Sequence, residues 1–192
     1  MDVLSRIDPT KTQSILDESR NEQAIMTHHD AITGTSPQPE TNDYTQRIFK
    51  GVNAAQEVIK RSYNYLKNKN NSTNDSEVFC NLLNITDCGV TESNDKIAVT
   101  LYNPIARPVS QYISIPVVNN NHKVYESNGQ AVSHLGILSV SDAVKRVPDR
   151  HSKATHELIF KVDLPALGFN TYFIEKQGGL KSKSLYIRIQ KV

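Results

Sequence analysis

The chain's densest set of metal-binding and proton-binding groups lies in Ile25–Thr35, where His28, His29 and Asp30 stand together just before Gly34. Imidazole and carboxylate are zinc-ligand types, and one zinc site needs at least three protein groups converging on a point. The segment reads as the end of a helix running from about Thr12 to His28. Neighbouring side chains on a helix diverge by about 100°, which follows from 3.6 residues per turn, so the three are not expected to hold one ion together. One ligand and one further contact are expected here, against a plainer alternative in which the histidines only complement a helix C-terminus. His122, His134, His151 and His156 form no HxxxH or HExxH pattern and read as strand residues. No phosphate-binding loop and no GxSxG nucleophile elbow occur.

The two cysteines, Cys80 and Cys88, are too far apart for a CxxC redox pair and too few for a structural zinc site. They read either as a local disulfide or as two buried thiols. Asn-x-Ser/Thr tripeptides at Asn70, Asn71, Asn74 and Asn84 favour the disulfide, because the last lies between the cysteines and all four suit a secreted or lumenal compartment. Of these, Asn84 and Asn71 are the expected glycosylation sites. No apolar stretch of the signal-peptide kind opens the chain. A secretory protein without one is expected to be the interior of a longer precursor.

Periodicity supplies the elements that must position these groups. Tyr44, Ile48, Val52, Ala55, Ile59, Ser62 and Leu66 recur at spacings of three and four, the pattern of one helix face. Pro39 is expected to break the chain before this helix, with Thr41, Asn42 or Asp43 at its N-terminus. It should end near Asn68. Beyond Cys88 the period becomes two. Strands are expected at Ile97–Leu101, Val109–Val117, Val124–Ser127, Leu135–Val140, Leu158–Leu164, Tyr172–Glu175 and Leu185–Ile189, with Asn103-Pro104 and Asn128-Gly129 as turns. The fold class is therefore α+β: a helical segment followed by an antiparallel β-sandwich. The boundary is expected near residue 92, giving parts 1–92 and 93–192.

Composition narrows the partners. With 22 Lys and Arg against 20 Asp and Glu, the net charge of +2 lacks the basic excess that binds nucleic acid, so no nucleic-acid partner is expected. No run of about 20 apolar residues exists, and no membrane insertion is expected. The basic alternation in the last dozen residues suits a solvated strand face better than a groove for nucleic acid.

HHDAITGT at His28–Thr35, followed by NDYTQRI at Asn42–Ile48, resembles a segment of glycoside hydrolase family 38, the class II α-mannosidases, where the catalytic domain passes into a helical bundle. FCNLLNITDC at Phe79–Cys88, VTLYNPIARPV at Val99–Val109 and ELIFKVDLPALGFNTYFI at Glu157–Ile174 resemble the lysosomal branch. Together they cover roughly residues 14 to 176 in order. The resemblance implies part of a three-helix bundle and a β-sandwich region from a zinc-dependent retaining enzyme that hydrolyses terminal α-mannosyl residues of N-linked glycans. It assigns His29 as a zinc ligand and Asp30 as a contact to sugar hydroxyls, and gives His28 no ligand role. The family's nucleophile, acid/base carboxyl and other zinc ligands lie in an N-terminal α/β domain that this sequence does not contain, so no catalytic residue is expected here. The absence of Trp and the sequence SPQPE at Ser36–Glu40 depart from the family pattern. Implied partners are a mannose-containing glycan and the rest of the precursor chain, in a lysosomal or secreted setting. The alternative is a secreted, non-catalytic carbohydrate-binding or protein-binding module.

Overall fold

The computed structural model describes residues 9–67, 77–178 and 185–188. By contacts the chain divides into two compact units, 1–74 and 75–192. Division therefore falls in the polar tract rather than near residue 92, which lies in a short helix preceding the first long strand. The disulfide segment belongs with the strands. The expected sequons Asn70, Asn71 and Asn74 lie outside the described residues.

In the first unit, α1 (Pro9–Ile25) and α2 (Gln38–Lys67) form an antiparallel pair. Glu22 meets Arg47 at 3.5 Å and Glu18 meets Lys50 at 2.9 Å, so sequence runs up one helix as it runs down the other. Gly51 marks the close approach. A Cβ there would stand 3.2 Å from the Glu22 Cβ, and a larger side chain would push the helices apart. The contact seam is consequently centred on buried Gly51 and Val58, beside the expected apolar stripe, and leaves Ile48, Val52 and Leu66 exposed. Pro39 does not break the chain. It sits in the first turn of α2, where a missing N–H loses no intrahelical bond.

The second unit is a two-layer sandwich. β1 (Val78–Phe79), β2 (Lys96–Tyr102), β4 (His122–Glu126), β7 (Phe169–Lys176) and β8 (Leu185–Arg188) form one sheet in the order β1-β8-β2-β7-β4. β3 (Val109–Val117), β6 (His156–Leu164) and β5 (Leu135–Ser139) form the other, in the order β3-β6-β5. All pairings are antiparallel except those of β8, which runs parallel to both β2 and β1. The alternation read from the sequence becomes the core. Ile97, Val99, Leu101, Val124 and Ile174 of one sheet pack with Ile113, Ile115, Val117, Leu158, Phe160 and Val162 of the other, all nearly sealed from solvent.

Two polar side chains fix where strands turn. Asn103, buried, donates from Nδ2 to the carbonyls of Arg107 and Pro165, both at 2.8 Å, and accepts from the Ile105 amide, so the Asn103-Pro104 turn is tied to the loop before β7. Tyr172 stacks obliquely on Phe160 at 5.6 Å, and its hydroxyl accepts from the Asp163 amide at 3.0 Å while donating to the Asp163 carbonyl. Both devices satisfy backbone groups where the ladder ends.

Cys80 and Cys88 are disulfide-bonded, with Cα atoms 5.3 Å apart, closing a loop that contains a 3₁₀ turn (Leu83–Ile85). Past Cys88 comes α3 (Gly89–Ser93), and a further short helix, α4 (Asp142–Lys145), separates β5 from β6. Arg150 pins the disulfide loop to the segment preceding β6. Its Nε donates to the Ile85 carbonyl at 2.8 Å and its Nη2 to those of Thr86 and Ala154, while Ser152 Oγ donates to the Thr86 carbonyl at 2.9 Å. Glu92 closes the cluster by accepting from the Cys88 and Lys153 amides.

Tyr172→Phe leaves the Asp163 amide without its partner, so unfolding of the chain in urea should show a loss of about 1 to 3 kcal/mol. An unchanged midpoint would remove this role from the hydroxyl. His122 is buried, its Nδ1 has no hydrogen-bond partner among the described residues, and burial holds its pKa below the ordinary histidine value, opposed in part by the Asn119 backbone. The unfolded chain thus takes up the proton first. The stability that neutral His122 supports is present above about pH 6.5 and is lost as pH falls from there toward the lower folded value. His122→Leu should flatten the dependence of the urea midpoint on pH between 7.5 and 5.

Candidate functional site

His28, His29 and Asp30 do not lie on a helix. α1 ends at Ile25, and residues 26–34 form consecutive turns, which removes the premise that the three side chains must diverge. The cause is local. The amides of Met26, Thr27 and His28 bond three residues back, tightening the chain, and Thr27 Oγ1 donates to the Ala24 carbonyl at 2.7 Å. Hydroxyl and carboxylate side chains then offer the backbone alternatives to a helical ladder.

Asp30 organises the turn. Its Oδ1 accepts from Thr35 Oγ1 at 3.0 Å, and its carbonyl accepts from the Thr35 amide at 3.2 Å and from Ser36 Oγ at 2.6 Å. Thr33 adds a bond from its hydroxyl to the His29 carbonyl, and its oxygen stands 2.9 Å from Thr35 Oγ1. Gly34 has φ +67, a left-handed conformation for which glycine is the least strained choice. The other carboxylate oxygen of Asp30 faces both imidazoles, at 3.4 Å from His28 Nε2 and 3.5 Å from His29 Nε2.

One ligand atom from each of the three residues lies within 4.8 Å of the others, the single such His/Cys/Asp/Glu group among the described residues. Tetrahedral zinc with bonds of about 2.0 to 2.1 Å spaces its ligand atoms about 3.3 to 3.4 Å apart, a spacing that the two His–Asp30 pairs approach. The His29 side chain is 83% exposed, and the group opens outward. Behind the turn is a cavity of about 480 Å³ lined by Met26, Ala31, Ile32, Tyr44 and Ile48 among others. The His28 ring stands 6.5 Å from that of Tyr44, which couples the turn to the start of α2. The helical pattern continuing through His28 hid these turns in the sequence; the run of Thr and Ser from Thr27 to Ser36 was the available sign of them.

The fold and the turn define a class: a helical hairpin carrying an exposed His-His-Asp turn, followed by a β-sandwich. Residues 110–174 match the family described as lysosomal alpha-mannosidase-like, central domain. The chain is 31% identical over 162 residues to the lysosomal alpha-mannosidase of Mus musculus, covering 84% of this chain and 15% of that protein. It is 32% identical over 152 residues to the lysosomal alpha-mannosidase of Homo sapiens, covering 79% of this chain and 14% of that protein. With the alpha-mannosidase of Canavalia ensiformis the identity is 30% over 186 residues, covering 87% and 19%. The chain is thus related to the lysosomal-type α-mannosidases of glycoside hydrolase family 38, and matches less than a fifth of the length of these relatives.

Asp30→Ala removes the acceptor of the Thr35 hydroxyl but leaves α1 and α2 intact. Amide hydrogen exchange across residues 28–36 should accelerate about threefold to tenfold, corresponding to one lost hydrogen bond, with protection in the helices unchanged. Uniform acceleration through both helices would show that Asp30 supports the hairpin rather than the turn.

Proposed function

We propose that the chain is the part of a zinc-dependent retaining α-mannosidase that supplies one zinc ligand, His29, and one sugar contact, Asp30, for hydrolysis of terminal α-mannosyl residues of N-linked glycans. The observation that carries this reading is the convergence of the His28, His29 and Asp30 ligand atoms on an exposed turn, within the segment whose sequence resembles the family's zinc-binding motif. His29 Nε2 would hold the metal, with Asp30 Oδ2 directed at the same side of the turn and able to accept from a substrate hydroxyl. Zinc in such a site supplies a template and a Lewis acid for sugar hydroxyls. Thr35 and the backbone bonds around Asp30 keep that carboxylate aimed, which is a positioning role. His28, placed at a similar distance from Asp30, would assist by holding the carboxylate between two rings.

Retaining glycoside hydrolysis needs a nucleophilic carboxylate and a second carboxyl group about 5 to 5.5 Å from it. Neither is matched to the family pattern in these 192 residues, so the chain is a piece of the machinery and its partner is the remainder of a longer polypeptide. Its bonded cysteines and the alpha-mannosidase relatives support a lysosomal or secreted setting.

Purified chain is expected to give no turnover of an aryl α-mannoside above buffer, with or without added zinc. In the complete enzyme, His29→Ala should lower bound zinc per protein by at least about tenfold, since loss of even an outer partner costs about 10- to 100-fold in affinity. His28→Ala should lower it less. Equal zinc content in wild type and His29→Ala would overturn the assignment.

A further inference from the structure

Asn84 has a folding-dependent chemistry written into its surroundings. Transfer of an oligosaccharide to Asn-x-Thr requires the asparagine amide and the threonine hydroxyl to be presented together to the transferring enzyme. In the folded second unit Asn84 is exposed, but Thr86 is 1% exposed. The Thr86 hydroxyl donates to Glu157 Oε1 at 2.5 Å, and the Thr86 carbonyl accepts from Arg150 Nη2 and Ser152 Oγ, both at 2.9 Å. Thr86 also takes φ +55, a left-handed conformation that is costly for a β-branched residue and that these bonds hold in place. The 3₁₀ turn Leu83–Ile85 and the Cys80–Cys88 bridge fix the remaining backbone of the tripeptide.

We infer that Asn84 is an N-glycan acceptor only while residues 80–88 are undocked, so that glycan transfer and docking of the disulfide loop compete for the same threonine. The step itself is simple in its balance. Asn84 Nδ2 forms a bond to the anomeric carbon of an oligosaccharide carried on a lipid pyrophosphate; the carbon–oxygen bond to pyrophosphate breaks; the lipid pyrophosphate leaves; and the amide proton passes to the transferring enzyme. Once the loop is docked, opening it requires release of the Glu157 bond and of the Arg150 and Ser152 bonds at once, because all three meet on one residue. A glycan already attached at Asn84 meets no such obstacle, since that side chain points into solvent and the docked loop accommodates it. Modification before docking is compatible with the fold, whereas modification after docking is not. The inference depends on the secretory setting proposed above for its biological occasion, but not on zinc or on mannosidase activity.

The test uses the full chain as two acceptors, native with the disulfide intact and unfolded after reduction and alkylation, each incubated with purified oligosaccharyltransferase and its lipid-linked donor. Occupancy at Asn84 is read by mass spectrometry of the tryptic peptides. The unfolded chain should be modified at Asn84 at an initial rate at least about tenfold above that of the native chain. Rates within about twofold of each other would overturn the competition, and so would absence of modification at Asn84 in both. Because neither metal nor glycosidase turnover is measured, failure here is separable from failure of the mannosidase assignment, which the zinc content of His29→Ala decides.

Discussion

The guanidinium of Arg150 is the interaction on which the irregular part of the second unit depends. It donates to four backbone carbonyls from two separate stretches, Ile85 and Thr86 on the disulfide loop and Ser152 and Ala154 before β6. A planar group with five donors in a fixed fork suits this role in a way that lysine, with one compact ammonium, does not. The disulfide shortens the loop, but a covalent bond between Cys80 and Cys88 says nothing about where the loop rests. Arg150 supplies that information. Glu92 complements it from the other side by accepting from the Cys88 and Lys153 amides. Backbone groups that have no ladder to join are thereby satisfied without water, and the loop lies against strands whose own register the core fixes.

Asp30 performs the corresponding task in the first unit at a much smaller scale. One carboxylate has two distinct uses: Oδ1 closes the turn through Thr35, and Oδ2 faces the two histidines. The bond from Thr35 restricts the Asp30 rotamer, which also sets the direction of Oδ2. The group stays exposed, with the His29 side chain open to solvent.

The sandwich and the helical hairpin are stabilised by different means. In the sandwich, alternate residues from both sheets close a continuous apolar layer, so the strands are held by burial and the turns by a few polar side chains such as Asn103 and Tyr172. In the hairpin, two helices alone cannot cover an apolar stripe as wide as that of α2, and close approach at Gly51 with ion pairs at its flanks carries the contact. Apolar side chains such as Phe49 and Val52 stay open to solvent for that reason.

Residue order by itself determined the α+β arrangement, the long second helix, the strands from Lys96 onward and the Asn103 and Asn128 turns, because periodicity and turn chemistry act over a few neighbouring residues. The similarity of His28–Thr35 to a family motif was also legible at that level. Other features were not. The parallel pairing of β8 with β2, the placement of the disulfide loop with the strands and the seam at Gly51 depend on residues far apart in the chain. The convergence of His28, His29 and Asp30 was misjudged from the sequence because helical spacing was extended past Ile25, where bonds from Thr27, Thr33, Thr35 and Ser36 had already turned the backbone aside. The burial of Thr86 belongs to the same class: a tripeptide that reads as exposed in sequence is half enclosed once Arg150 and Glu157, 64 and 71 residues away, reach it. Local propensity proposes each segment's shape, and only long-range contacts decide which of its groups remain available to solvent.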